Sequence, residues 1–396
     1  MKRIFQAIVR RLILAICFFI PIKKNKIVIS SFYGRGYGDN LKYIAEKLLK
    51  SDKKIEIIWV VKDKKEAQSL PAGVKYCIWK SYSLIFHLTT AGVWIDNCRK
   101  SFFYKKKNQL YIQTWHGGGA QKKCELDAID KLSPKYQKNA EKDSRHIDIM
   151  ISESRFMTNL YHKSFWYDGP VYECGYPRYD ILLDHSEELL AKVYGYFGID
   201  RSKRLVLYAP TFRVDHSFKA YDVDFERLMR NLKTRFENDF VVLVHLHPNV
   251  ASIEGGIDYN GANIINATFY PDTQELVAAA AILIGDYSSI NYDFSLKRLP
   301  VFRYASDLNE YRNDRDLYFS FDDYPYPCAQ SNDELENLIL NFNEEDYLKN
   351  LEKFFATLGS IIKPGASDSI AELIEDYVSS KSKKDFIDRN KDKFIY

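Results

Sequence analysis

The feature that most constrains this chain is an alternation. From Lys24 onward, short runs rich in β-branched residues are separated by segments with helical spacing. IVISSF (27–32) reads as a buried strand and LKYIAEKLLK (41–50) as a helix. IEIIWVV (55–61), GVWIDN (92–97), QLYIQTW (109–115), HIDIMIS (146–152) and VYECGY (171–176) continue the series. A polar, helical stretch runs from Asp184 to Ser202, and then the pattern starts again. RLVLYAP (204–210), FVVLVHLHP (240–248), NIINAT (263–268), AAILIGD (280–286) and PVFRYA (300–305) read as strands. FERLMRNLKTRF (225–236) and ELENLILNF (334–342) read as helices. Strands interleaved with helices require right-handed crossovers and hence a parallel sheet. Two such series predict an α/β protein of two Rossmann-like, doubly wound domains facing across a cleft, with ligands at the carboxyl ends of the strands. The expected boundaries are 23–190 for the first domain and 200–375 for the second, with a charged tail over 376–396.

A length of 396 residues suits two domains, each able to bury a core without disulfide or metal staples. The net charge of +4 is too small for a dedicated nucleic-acid binder, and it is unevenly spread. Residues 1–26 carry seven Lys and Arg and no acid, so the remainder is net acidic. The same end holds the apolar run LILAICFFIPI (12–22). It is too short to span a bilayer, and Lys23 and Lys24 follow it in place of a small-residue cleavage site. Residues 1–22 therefore read as an amphipathic segment for an anionic membrane surface, the alternative being a buried first helix of the fold. The six cysteines form no CxxC pair and have no histidine spaced for zinc, so they read as reduced thiols of a cytoplasmic protein.

The candidate chemistry sits where strands end. SFYGRGYGDN (31–40) lacks the GxGxxG spacing, and reads as a tight turn or a glycine-lined substrate wall, with Asp39 capping the next helix. QTWHGGGAQKK (113–123) places His116 directly after a strand, followed by Gly117, Gly118 and Gly119 and then Lys122 and Lys123. A neutral histidine there takes a proton from an attacking hydroxyl, while the glycines admit substrate closely; the alternative is a core histidine bonded to a backbone carbonyl. In GYPRYD (175–180), Arg178 clamps a phosphate or pairs with Asp180. The second half offers Thr211 and Arg213 in YAPTFR, His245 and His247 in HLHPN, and Asp286, Ser288, Ser289 and Asp293 in GDYSSINYDF. The serines lie where a helix begins, so their hydroxyls and the free N–H groups make an anion site, and Asp293, four residues on, is placed to accept from a ribose hydroxyl. DVD (222–224) precedes a helix and is explained by capping. No P-loop or GxSxG elbow is present, and no metal site is expected.

In order, SFYGRGYGDNLKYI, QTWHG with its lysines, SESRF, GYPRYDIL, YAPTFR, HLHPN, LIGDYSSINYDF and PVFRYASDLNEY give the chain a resemblance to the CDP-glycerol glycerophosphotransferases of bacterial teichoic acid and capsule synthesis, from about residue 30 to about residue 340. The resemblance implies a GT-B-like fold, with an acceptor-side first domain and a nucleotide-side second domain. It implies transfer of glycerol phosphate, or ribitol phosphate, from CDP-glycerol or CDP-ribitol to a lipid-linked saccharide or polyol-phosphate acceptor at the inner membrane face, releasing CMP. It implies no cofactor and no nucleic-acid partner. His116 resembles the family's base, and Arg213, His247, Ser288 and Ser289 resemble its donor pyrophosphate shell, with Thr211, Asp286 and Asp293 beside them. Gly117, Gly118, Lys122 and Arg178 fall on the acceptor side. The sequence departs from the family pattern at Gly118-Gly119, where Thr-Pro is usual, at Gly285, where Thr is usual, and at YPYPCAQ (324–330), in place of Pro-Gly-Pro. The rival readings are a nucleotide-sugar glycosyltransferase on the same fold and a non-catalytic membrane-associated binding protein.

Overall fold

The apolar runs become the inner strands of two parallel sheets. The structure, a computed structural model, describes residues 2–101, 104–119, 121–184, 186–211, 221–246, 263–308 and 316–396. The chain forms two compact units. The first comprises Met1–His116, Cys124–Asp180 and Ile361–Tyr396, and the second Gly117–Lys123 and Ile181–Ser360.

In the first unit the strands are β1 (Lys23–Ser30), β2 (Glu56–Val61), β3 (Lys75–Ile78), β4 (Ala91–Asp96), β5 (Leu110–Gln113), β6 (Ile149–Ser152), β7 (Val171–Glu173) and β14 (Phe394–Ile395). They are ordered β14-β7-β6-β5-β4-β1-β2-β3. All pair in parallel except β14, which runs antiparallel to β7. β4, β5 and β6 are buried along their whole length, which is why they read as continuous apolar runs and not as alternating ones. Around this sheet lie α1 (Lys2–Phe19), α2 (Asp39–Leu49), α3 (Tyr82–Thr90), α4 (Pro134–Ser144), α5 (Arg155–Ser164), α13 (Ala366–Ser379) and α14 (Lys383–Asn390), with α6 (Pro177–Leu183) at the chain's exit from the unit. The apolar N-terminal segment lies in a longer helix than the run 12–22 implied, and Pro21 falls beyond its end. α1 packs on α3 and buries Cys17, and Lys106 Nζ donates to the carbonyls of Cys17 and Ile20 at its C-terminus. No helix among the described residues is long and apolar enough to cross a membrane.

The second unit holds β8 (Arg204–Tyr208), β9 (Phe240–Val244), β10 (Ile264–Asn266), β11 (Ile282–Gly285), β12 (Val301–Tyr304) and β13 (Cys328–Ala329), all parallel and ordered β10-β9-β8-β11-β12-β13. Its helices are α7 (Glu187–Phe197), α8 (Phe225–Phe236), α9 (Thr273–Ala279), α10 (Ile290–Ser295), α11 (Asn332–Leu340) and α12 (Glu344–Leu358). Asp224 caps α8 by accepting from the Arg227 N–H, so the DVD triplet is a helix start.

The units are divided differently from the expected boundaries. Segment 117–123 groups with the second unit. The chain from Ile361 onward returns to the first, so the charged tail forms α14 and the edge strand β14. The anchor of this return is Asp180, whose carboxylate accepts from the N–H groups of Gly365, Ala366 and Ser367 at 2.9, 3.0 and 2.8 Å. These are orphan donors at the start of α13, and a carboxylate satisfies them while matching the helix dipole. Asp180 is thus a helix cap and not the partner of Arg178. Asp180→Ala should lower stability by about 2 kcal/mol, read as a lower denaturant midpoint; an unchanged midpoint would contradict the cap.

Candidate active site

His116 lies just past the end of β5. Its Nδ1 donates to the backbone carbonyl of Asn97 at 2.6 Å, just past the end of the neighbouring β4. That bond fixes the neutral tautomer and leaves the lone pair on Nε2, which accepts no hydrogen bond among the described residues. Trp115 and Phe32 pack on the ring at centroid distances of 4.7 and 5.4 Å, and the Cys98 thiol lies 3.7 Å from Nδ1. Burial lowers the imidazole pKa below 6.5, outweighing the bond to Asn97 and the charge of Asp39, which raise it, and Arg178 adds to the lowering. The same burial pushes the Cys98 thiol up to about 12, so it is a neutral neighbour.

The histidine is held by a closed ring of hydrogen bonds. Arg178 Nη1 donates to the His116 carbonyl at 3.2 Å and to Asp39 Oδ1 at 2.9 Å. Asp39 Oδ2 accepts from Asn97 Nδ2 at 2.5 Å, and Asn97 returns to the imidazole through its carbonyl. Asn40 closes the backbone side, accepting from the Arg178 N–H and donating to the Trp115 carbonyl. Two expectations are corrected here. Arg178 is buried between Tyr176 and Tyr179, with its charge committed to Asp39, so it positions the His116 turn and is not placed to clamp a phosphate. Asp39 does not cap α2; it is the first helical residue, at φ +57°, and its carboxylate is turned to Arg178 and Asn97. Asn97 and Asn40 were missed in the sequence. Their signal was available: each is a polar residue directly after an acidic one, in a segment that follows a strand.

The glycines after His116 belong to the second unit and have a packing role of their own. Gly119 has φ +66°, and a Cβ there would stand 2.3 Å from the Tyr292 ring, so only glycine fits. Gly118 is buried and Gly117 half-buried. Lys122 forms an antiparallel bridge with Leu317, the Lys123 N–H donates to the Asp316 carbonyl, and the Tyr318 N–H donates to the Gln121 carbonyl.

At the carboxyl ends of β8 and β11 the structure brings Thr211 and Asp286 together. The Thr211 N–H and hydroxyl donate to the Asp286 carboxylate, the hydroxyl at 2.6 Å, and the Tyr287 N–H donates to it at 2.5 Å. Asp286 is buried and holds the turns that follow β8 and β11. Ser288 and Ser289 are half-buried where α10 begins; Ser288 Oγ accepts from the Ile290 N–H, and the Ser289 hydroxyl makes no cap bond. Asp293 is buried and accepts from Gln274 Nε2 at 3.0 Å, so it braces α10 against α9. His245 is engaged at both nitrogens, by the Ala267 carbonyl and by Thr273 Oγ1. Arg213 and His247 lie outside the described residues. No group of three His, Cys, Asp or Glu among the described residues is arranged to hold a metal ion.

Residues 12–375 match the family described as CDP-glycerol:poly(glycerophosphate) glycerophosphotransferase. The chain is 28% identical over 369 residues to the teichoic acid poly(glycerol phosphate) polymerase of Staphylococcus epidermidis, covering 89% of this chain and 51% of that protein. It is 27% identical over 368 residues to the teichoic acid glycerol-phosphate transferase of Staphylococcus aureus, covering 89% and 93%. The chain thus spans about half the length of the first of these relatives and nearly all of the second. Among solved structures, the wall teichoic acid polymerase TagF superposes with a TM-score of 0.81 at 26% identity, covering 96% of both chains.

The tautomer and the lowered pKa make one prediction about this site. In a heteronuclear NMR titration the His116 imidazole should titrate below 6.5, with Nδ1 carrying the proton in the neutral form. A midpoint above 6.5, or a proton on Nε2 in the neutral ring, would contradict the geometry.

Proposed function

The chain belongs to the CDP-glycerol:poly(glycerophosphate) glycerophosphotransferase family, and from that premise we propose that it transfers an alditol phosphate from a CDP-alditol, glycerol phosphate from CDP-glycerol in the first instance, to a hydroxylated acceptor, releasing CMP. Its two parallel-sheet units are of the GT-B-like class of TagF. The observation that carries the reading is the His116 imidazole, held neutral with an open Nε2 at a strand end. An acceptor hydroxyl attacks the β-phosphorus. The new O–P bond forms as the bond to the CMP oxygen breaks, His116 Nε2 takes the hydroxyl proton, and CMP leaves with the electron pair. Arg213 and His247, with the Ser288–Ser289 turn, are assigned to the donor pyrophosphate. Positioning and charge neutralisation supply most of the rate in such a transfer. The test is incubation with CDP-glycerol and a lipid-linked acceptor. CMP should form, and His116→Ala should lower kcat by about 10²–10⁴ while leaving donor KM within a few-fold. Near-normal turnover in the variant would remove the base, and release of a nucleoside diphosphate from a nucleotide sugar would favour the glycosyltransferase reading.

The reading extends to an anionic membrane surface, where a lipid-linked acceptor resides. α1 presents an exposed apolar stripe of Phe5, Ile8, Leu12, Ile16 and Phe19, at helical spacing, on the side away from buried Cys17, with Arg11 exposed beside it. Such a face is costly in water and is relieved by lying at the headgroup boundary, where basic residues add attraction to anionic lipid. Replacing Ile8, Leu12 and Ile16 together by Asn removes three exposed side chains and should leave the fold intact. Co-sedimentation with phosphatidylglycerol vesicles should weaken by at least about tenfold, on the scale of ~0.8 kcal/mol per buried CH₂. Undiminished sedimentation would rule out α1 as the docking face.

A further inference from the structure

In the second unit a groove of about 820 Å³ runs along one face of α12, within the size range of small-molecule sites. Asn343, Asp346, Asn350, Lys353 and Thr357 line it at helical spacing, a span of about 21 Å at 1.5 Å per residue. The opposite wall is the segment 319–328, which includes the YPYPC portion (324–328) of the YPYPCAQ stretch singled out in the sequence. None of the residues assigned to the reaction lines it.

Three observations define what this groove accepts. First, aromatic rings line its floor and wall: Phe319, half-buried, packs on Phe354 at 5.7 Å, and Tyr324 packs on Phe354 at 5.4 Å. Second, its rim is acidic, since Asp322, Asp323 and Asp346 outnumber the exposed Lys353, and the planar amides of Asn343 and Asn350 stand beside them. Third, Arg303 on β12 lines the groove while 4% exposed, its charge stacked 3.8 Å from the Phe321 ring centroid. Nε and Nη2 donate to the carbonyls of Tyr326 and Phe321. Among the described residues Nη1 has no hydrogen-bond partner, and no carboxylate pairs with the guanidinium. Nη1 thus keeps donor capacity open to an acceptor atom in the groove.

We infer that this groove is a subsite for an uncharged saccharide chain, the sugar portion of the acceptor. A sugar ring offers an apolar C–H face to an aromatic ring and a rim of hydroxyls to carboxylates and amides. Its hydroxyl, ether or amide oxygens are neutral acceptors for Arg303 Nη1. A poly(alditol phosphate) carries a negative charge in every repeat and is repelled by the acidic rim. The groove also starts beside the glycine segment, for the Tyr324 hydroxyl donates to the Gln121 carbonyl and the Tyr318 N–H to the same oxygen. Its role as an acceptor subsite rests on the transfer reading, whereas saccharide binding does not.

The test is calorimetric titration of the full chain with N,N′-diacetylchitobiose, cellobiose and a synthetic tri(glycerol phosphate), on the wild type and on Phe319→Ala and Asn350→Ala. Neither substituted side chain is fully buried, so both variants fold. At least one neutral disaccharide should bind with a Kd of about 1 mM and weaken by about tenfold or more in both variants, while the anionic trimer binds more weakly. No binding of either disaccharide, equal binding by the variants, or preference for the anionic trimer would each overturn the inference. CMP release from CDP-glycerol, measured on the same samples, separates the two readings: its absence with saccharide binding intact removes the transfer reading and leaves the saccharide site standing.

Discussion

The buried ion pair between Arg178 and Asp39 is what the candidate chemistry depends on. A guanidinium and a carboxylate at 2.9 Å, both withdrawn from water, hold each other in place; Arg178 also donates to the His116 carbonyl, and Asp39 accepts from Asn97. Removing one partner of such a pair leaves an uncompensated buried charge, typically at a cost of about 3–5 kcal/mol. The pair therefore fixes Asn97, Asn97 fixes the imidazole tautomer, and the tautomer decides which nitrogen is basic. Trp115 at φ +55° and Asp39 at φ +57° are backbone positions that this arrangement over-determines.

The second unit uses the same device with a different outcome. Asp286 is buried and accepts from the Thr211 N–H and hydroxyl and the Tyr287 N–H, so its charge shapes two strand-end turns. Gly119 and the Tyr292 ring meet so closely that no side chain is admitted at 119, and Gly285 lies so close to Asn291 Oδ1 that a Cβ there would stand 1.9 Å from it. In both cases a ring or amide occupies the space a side chain would take. Packing, more than substrate access, explains the glycines at 119 and 285.

Much of this was legible in the sequence, because buried parallel strands announce themselves as apolar β-branched runs and strand ends as polar punctuation. The inner strands and α8, found at Phe225–Phe236, follow the pattern closely. The edge strands β3, β13 and β14 escaped, since KYCI, CA and FI are short, half-exposed and without a periodic signature. The return of residues 361–396 to the first unit escaped for a related reason: it depends on Asp180 capping a helix that lies 185 residues away in sequence. At the site, His116 and its strand-end place were readable, whereas the roles of Arg178, Asp39 and Asp293 were not. A charged residue near a strand end looks alike whether it faces a ligand or a buried partner, and only tertiary packing separates the two. The groove along α12 was hidden because its walls, though close in sequence, meet only through the packing of Phe319 and Tyr324 on Phe354.

The central claim is that His116, kept neutral by burial and set in one tautomer by the Asn97 carbonyl, accepts the proton of the attacking hydroxyl. Protonation removes the base, so kcat/KM must fall as pH drops through the His116 pKa in the free enzyme. The direct measurement is the pH dependence of kcat/KM for CMP release, set beside the His116 titration in the same buffer. The account predicts an acid limb below 6.5 that coincides with the imidazole midpoint and is absent from the residual activity of His116→Ala. An acid limb that lies elsewhere, or that persists unchanged in the variant, would contradict it.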